Sequence, residues 1–113
     1  MWRCLLLVML LAACSKGPEA DLPSISQARS LGAEWALVNE QAGAGKLTAT
    51  YVAAMRKSIR EQLKTCAMSL TQPKSAYGEE IAALIAAPDS ASPALLRGHA
   101  DRLKRIEDSL ESA

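Results

Sequence analysis

Apolar residues recur along most of this chain at steps of three and four, the spacing that lines up one face of an α-helix. The first such run carries Ile25, Ala28, Leu31, Trp35, Val38 and Ala42, with Arg29, Glu34 and Glu40 largely off the stripe. Ser24 and Gln27 have capping-box spacing, Pro23 stands just outside, and Gly43-Ala44-Gly45 ends the run, so a helix is predicted over about 24–42. Gly32 either weakens that helix or admits a close neighbour. The second run, Val52, Met55, Ile59, Leu63, Cys66 and Leu70, is nearly continuous and predicts the longest helix, about 48–71, with Thr48 as its N-cap and Pro73 beyond its end. Tyr77, Ile81, Leu84 and Ile85 predict a shorter helix over 76–87, between Ser75 and Pro88. A last helix is expected over 93–111, capped by Ser92 with Pro93 at the favoured first position, on the stripe Leu96, His99, Leu103, Ile106 and Leu110. No stretch reads as a β-strand, and no segment repeats another. The short connection after the first helix makes it an antiparallel hairpin with the second. The expected fold is all-α: a small antiparallel up-and-down bundle of three long helices plus one short.

The first 23 residues do not follow this pattern. Met1-Trp2-Arg3 is followed by an apolar run from Cys4 to Ala13 that has no polar face. It is far short of the roughly 20 residues a membrane-spanning helix needs. It closes on Leu11-Ala12-Ala13-Cys14, an aliphatic residue and two small ones before a cysteine. In order and position this motif resembles the lipobox of bacterial lipoproteins. The resemblance implies that residues 1–13 are a signal peptide, that Leu11, Ala12 and Ala13 are read by the signal peptidase, and that Cys14 becomes the first residue. Its thiol would take a diacylglycerol and its amine a further acyl chain such as palmitate. The alternative is an ordinary secretory leader cut after Ala13 without lipid. Ser15 stands where aspartate commonly signals inner-membrane retention in Gram-negative lipoproteins, so the resemblance favours the outer membrane, facing the periplasm. Residues 14–23, with Gly17, Pro18 and Pro23, read as a lipidated cysteine and flexible tether. Its extended reach is roughly 30 Å. The helical domain is then 24–113.

Composition narrows the function. The chain is 50% apolar, yet Trp35, Tyr51 and Tyr77 are the only large aromatic residues after Ala13. The expected core is therefore thin, in a domain whose size already limits burial. Without Arg3 the charges balance at 12 basic and 12 acidic, which argues against nucleic acid as a partner. With Cys4 removed and Cys14 acylated, Cys66 has no intramolecular partner. It is expected as a small buried hydrophobe; the alternative is an intermolecular disulfide joining two copies.

Candidate chemistry is sparse. His99 is the sole histidine, and no Cys or His cluster exists to hold a metal, so neither a metal nor another cofactor is expected. Glu79 and Glu80 are adjacent on a helix and so point about 100° apart, a poor acid/base pair. Catalysis is not expected. Gly43-Ala44-Gly45-Lys46-Leu47-Thr48 lacks the full glycine spacing of a phosphate loop and reads as a helix–helix turn. The mixed charges Arg102, Lys104, Arg105, Glu107, Asp108 and Glu111 read as a solvated face of the last helix, with Arg97–Asp101 and Lys104–Asp108 as i,i+4 pairs. The most distinctive charge feature is Arg56, Lys57, Arg60 and Lys64. The span from Lys46 to Lys74 holds six basic residues and one acidic. Such a face either binds anions or is neutralised within the fold. The expected function is a membrane-anchored helical module that binds a protein partner in the cell envelope. The alternative is a basic-face binder of anionic lipid, lipopolysaccharide or cell-wall polymer.

Overall fold

The computed structural model describes residues 17–113; the expected leader, the lipobox-like motif and Cys14 lie outside them. A 3-10 turn, Pro18–Asp21, leads into α1 (Leu22–Gly43), α2 (Ala49–Met68), α3 (Ala76–Ala86) and α4 (Pro93–Glu111). There is no strand among the described residues. The protein is a helical bundle of three long helices and one short, as the apolar periodicity predicts.

Local chemistry sets the helix starts. Thr48, Ser75 and Ser92 are the N-caps of α2, α3 and α4. Their side-chain oxygens accept from the backbone N–H of Tyr51, Gly78 and Leu95 at 3.2, 3.2 and 3.1 Å. Each bond satisfies a donor that the first helical turn leaves without a partner. The turn after α1 closes on Gly45, whose φ of 71° is left-handed backbone that favours glycine.

The start of α1 departs from the expectation. The helix begins at Leu22, ahead of Ser24, and Pro23 lies in its first turn, where a missing N–H costs nothing. Ser24 is inside the helix, and its hydroxyl meets that of Ser69 at 2.8 Å. Nor are residues 18–23 a free tether. Asp21 is completely buried and holds the α2–α3 connection. Its Oδ1 accepts from the Thr71 N–H at 2.7 Å. Its Oδ2 accepts from the Tyr77 hydroxyl at 2.5 Å, the Thr71 hydroxyl at 2.9 Å and the Gln72 N–H at 3.2 Å. Burial pushes this carboxyl up, but the bonds from Tyr77, Thr71 and Gln72 outweigh it and hold Asp21 below its ordinary value. A short polar segment between two prolines looks like linker in sequence; one buried carboxylate turns it into part of the fold.

Helix α1 is the hub, packing most extensively on α4 and then on α2. Trp35, Ile25, Ile59, Leu63, Ile81, Leu84, Leu96 and Leu103 are fully buried. Each contributes about 1.5–3 kcal/mol of transfer free energy. Gly32 lies where α3 and α4 meet α1: a Cβ there would stand 3.3 Å from Leu84 and 3.5 Å from the Ala100 Cβ. Helix α4 runs antiparallel to α1, with Arg97 pairing with Glu40 and Arg29 facing Glu107 at 3.4 Å. The chain therefore has a lower end, holding Gly17, the 3-10 turn, residues 69–75 and the last turns of α4. Its upper end holds the α1–α2 turn and the 87–92 loop.

The inner line of α4 is Leu96, Ala100, Leu103 and Glu107. His99 is half-buried one step aside, and Ile106 and Leu110 are only partly covered. Glu107, expected on the solvated face, is 5% exposed. Its partner across the helix pair is Arg29, although Arg29 Nε and Glu107 Oε2 make no hydrogen bond. Arg97 reaches Glu40 of α1 and not Asp101, its neighbour one turn along; Lys104 and Asp108 pair at 3.4 Å as the i,i+4 spacing predicts.

Candidate functional site

The basic face of α2 divides into two pairs. Arg56 and Arg60 point toward the upper loop. Arg56 Nε donates to Asn39 Oδ1 at 2.9 Å, and Asn39 Nδ2 donates to the Asp89 and Ala91 carbonyls at 3.0 and 2.8 Å. Arg60 donates to the Ile85 carbonyl, to the Ala87 carbonyl at 3.1 Å and to Asp89 Oδ1 at 2.6 Å. These carbonyls lie at the C-terminal end of α3, where the helix leaves its acceptors without N–H partners and favours a cation. Trp35 Nε1 adds a bond to the Asp89 carbonyl at 3.2 Å. Three side chains from α1 and α2, Trp35, Asn39 and Arg60, thus clamp the α3–α4 loop, and Arg56 holds Asn39 in place. Two of the four expected anion-binding residues are occupied by the fold itself. Lys57 and Lys64 are exposed and make no hydrogen bond or ion pair among the described residues. A shallow depression of about 300 Å³ lies over Ala53, Arg56, Lys57, Arg60 and Asp89, and the Asp89 carboxylate in its wall opposes an anion.

His99 joins α4 to α3. Its Nδ1–H donates to Glu80 Oε1 at 2.5 Å, and Arg102 Nε donates to the same oxygen at 2.7 Å. Burial raises the Glu80 carboxyl, but His99 and Arg102 outweigh it and leave it below its ordinary value. Glu79 is exposed on another face and takes no part. Among the described residues no three His, Cys, Asp or Glu side chains come together as metal ligands. Cys66 is buried in the core, and burial pushes its thiol up, so it is not presented to a second copy.

The feature that the apolar stripes do not foretell is a groove near the upper end. Leu37, Val38 and Glu34 of α1 form one wall, Tyr51 and Met55 of α2 the other, with Gln41 and Leu47 toward the turn. Its volume is about 210 Å³. Leu37 is 52% exposed and Tyr51 50%; among the described residues the other exposed large apolar side chains, Met68 and Leu95, lie outside the groove. The signal was present in the sequence: Leu37 is an apolar residue on the polar side of its helix, between the inward positions Trp35 and Val38.

Comparison with known proteins returns no match: no family model fits the chain, and neither a curated protein nor a solved structure is similar to it. No described helix is long and apolar enough to cross a membrane.

Proposed function

We propose that this chain is a lipid-anchored bacterial envelope protein whose bundle is a non-catalytic protein-interaction module, held by acyl chains on Cys14 to the outer membrane and facing the periplasm. The anchor rests on the resemblance of Leu11-Ala12-Ala13-Cys14 to a lipobox. The interaction role rests on the half-exposed Leu37 and Tyr51 in one groove. Apolar area covered by a partner contributes about 25 cal/mol per Å², and an aromatic side chain beside an aliphatic wall makes a common binding anchor. Glu34 and Gln41 supply a polar rim. Anchoring raises the local concentration of a partner on the same membrane, so a small groove suffices.

Photoreactive residues at Leu37 and Tyr51, crosslinked in living cells, test the interaction. One dominant protein adduct at both positions, with the adduct from position 51 lost on Leu37→Asp, is expected; adducts spread evenly over the surface would overturn it. Intact mass of the membrane-extracted protein tests the anchor, which requires the added mass of the acyl chains and their loss on Cys14→Ser.

A further inference from the structure

We propose that the lower end of the bundle rests directly on the bilayer, with Met68 in the headgroup layer. This rests on the lipid-anchor reading above. The geometry comes from how soon the fold begins. The Gly17 carbonyl accepts from the Thr71 hydroxyl at 3.3 Å, so the first described residue lies beside residues 69–75. Cys14 is three residues earlier, and a fully extended chain places it no more than about 11 Å away. The acylated cysteine lies where the acyl chains enter the bilayer. The headgroup layer on each side is roughly 5–8 Å deep. No free tether of ten residues remains to hold the domain away from the membrane.

The same end carries the most exposed large apolar residue described. Met68, in the last turn of α2, is 86% exposed, and Leu70 beside it is only partly covered. Pro73 and Lys74 are exposed in the following connection, and Lys64 lies one turn before Met68 on the same face. A thioether on an unbranched chain packs readily into an irregular interface, and a lysine beside it keeps its ammonium among the phosphates. Glu19 and Glu111 are exposed at this end as well, so charge does not drive the contact. The anchor and Met68 do, and the contact is insensitive to salt.

The test uses the full lipidated protein in vesicles of phosphatidylethanolamine and phosphatidylglycerol. Met68→Cys and, in the upper turn, Lys46→Cys are spin-labelled; Cys66 is buried and stays unlabelled in the parent protein. Collision with a water-soluble nickel chelate is then read at each site. A several-fold lower nickel accessibility at position 68 than at 46, unchanged in high salt, is expected. Equal accessibility at the two sites in a sample whose intact mass shows the acyl chains would overturn the docked end and leave the anchor standing. Absence of acyl mass would remove both.

Discussion

The guanidinium of Arg60 lies 4.9 Å from the centre of the Trp35 ring. That contact sets the guanidinium over a buried indole while its N–H groups reach the carbonyls at the end of α3. Arg60 is therefore expected to matter for stability more than any other basic residue. Arg60→Ala should cost about 2–4 kcal/mol in denaturant unfolding. Arg60→Lys should recover only part of that, because an ammonium cannot span several fixed acceptors. Asp89→Ala should cost under about 1 kcal/mol, since its carboxylate is mostly exposed and the solvent screens the pair.

Acid should unfold the protein through Asp21 and Glu80. Both carboxyls are held below their ordinary values in the fold. In the window between the folded and unfolded values the unfolded chain binds more protons, so stability rises with pH there. The contribution is fully present above about pH 5, and is lost as pH falls through the ordinary carboxylate range toward the folded values. Asp21→Asn should cost about 3 kcal/mol at neutral pH, because donors reach both carboxylate oxygens and an amide has only one acceptor, so its nitrogen must face a donor whichever way it lies. It should also flatten the acid limb of a pH-dependent denaturation series.

Gly78→Ala should destabilise, although alanine is the better helix former by about 1 kcal/mol. A Cβ at this position would lie 2.2 Å from the Pro73 carbonyl oxygen, and the obstacle is backbone. The connection must lift away, loosening the Ser75 cap and the Tyr77 contact with Asp21. A net loss of about 2 kcal/mol is expected by denaturant titration. Unchanged or increased stability would show that the connection yields freely.

Lys57→Glu together with Lys64→Glu should change stability by less than about 0.5 kcal/mol, as expected for exposed side chains without partners. On the interaction reading the crosslinked partner should also be unchanged. Loss of envelope association with this double variant, together with steep weakening in salt, would favour the anionic-surface alternative.

The sequence shows the bundle clearly because its information is periodic. Val52, Ile59, Leu63 and Cys66 mark the inner face of α2 without ambiguity, and Thr48, Ser75 and Ser92 mark starts with side chains that can cap. It misleads where a polar residue takes an inner position. Glu107 hides the inner line of α4 because its cationic neighbour, Arg29, is 78 positions away in the chain. Asp21 hides the fold's true beginning, since its donors lie 50 to 56 positions on. Arg56 and Arg60 look like a binding face because helical spacing shows which residues share a side of α2 but not what packs against it. The groove is half legible: Leu37 is conspicuous on its own helix, but only the pairing of α1 with α2 sets it opposite Tyr51 and Met55.

Helix α1 starts close to Gly17 and ends past Leu37, so one unbroken helix links the lower and upper ends of the described bundle. From Leu22 to Leu37 it rises about 22 Å. If the proposed anchor and partner are right, α1 is a strut between them. On that reading, tension between membrane and partner would run along its axis through successive backbone hydrogen bonds. The first place that load can shear is where the strut is footed, at the buried carboxylate of Asp21.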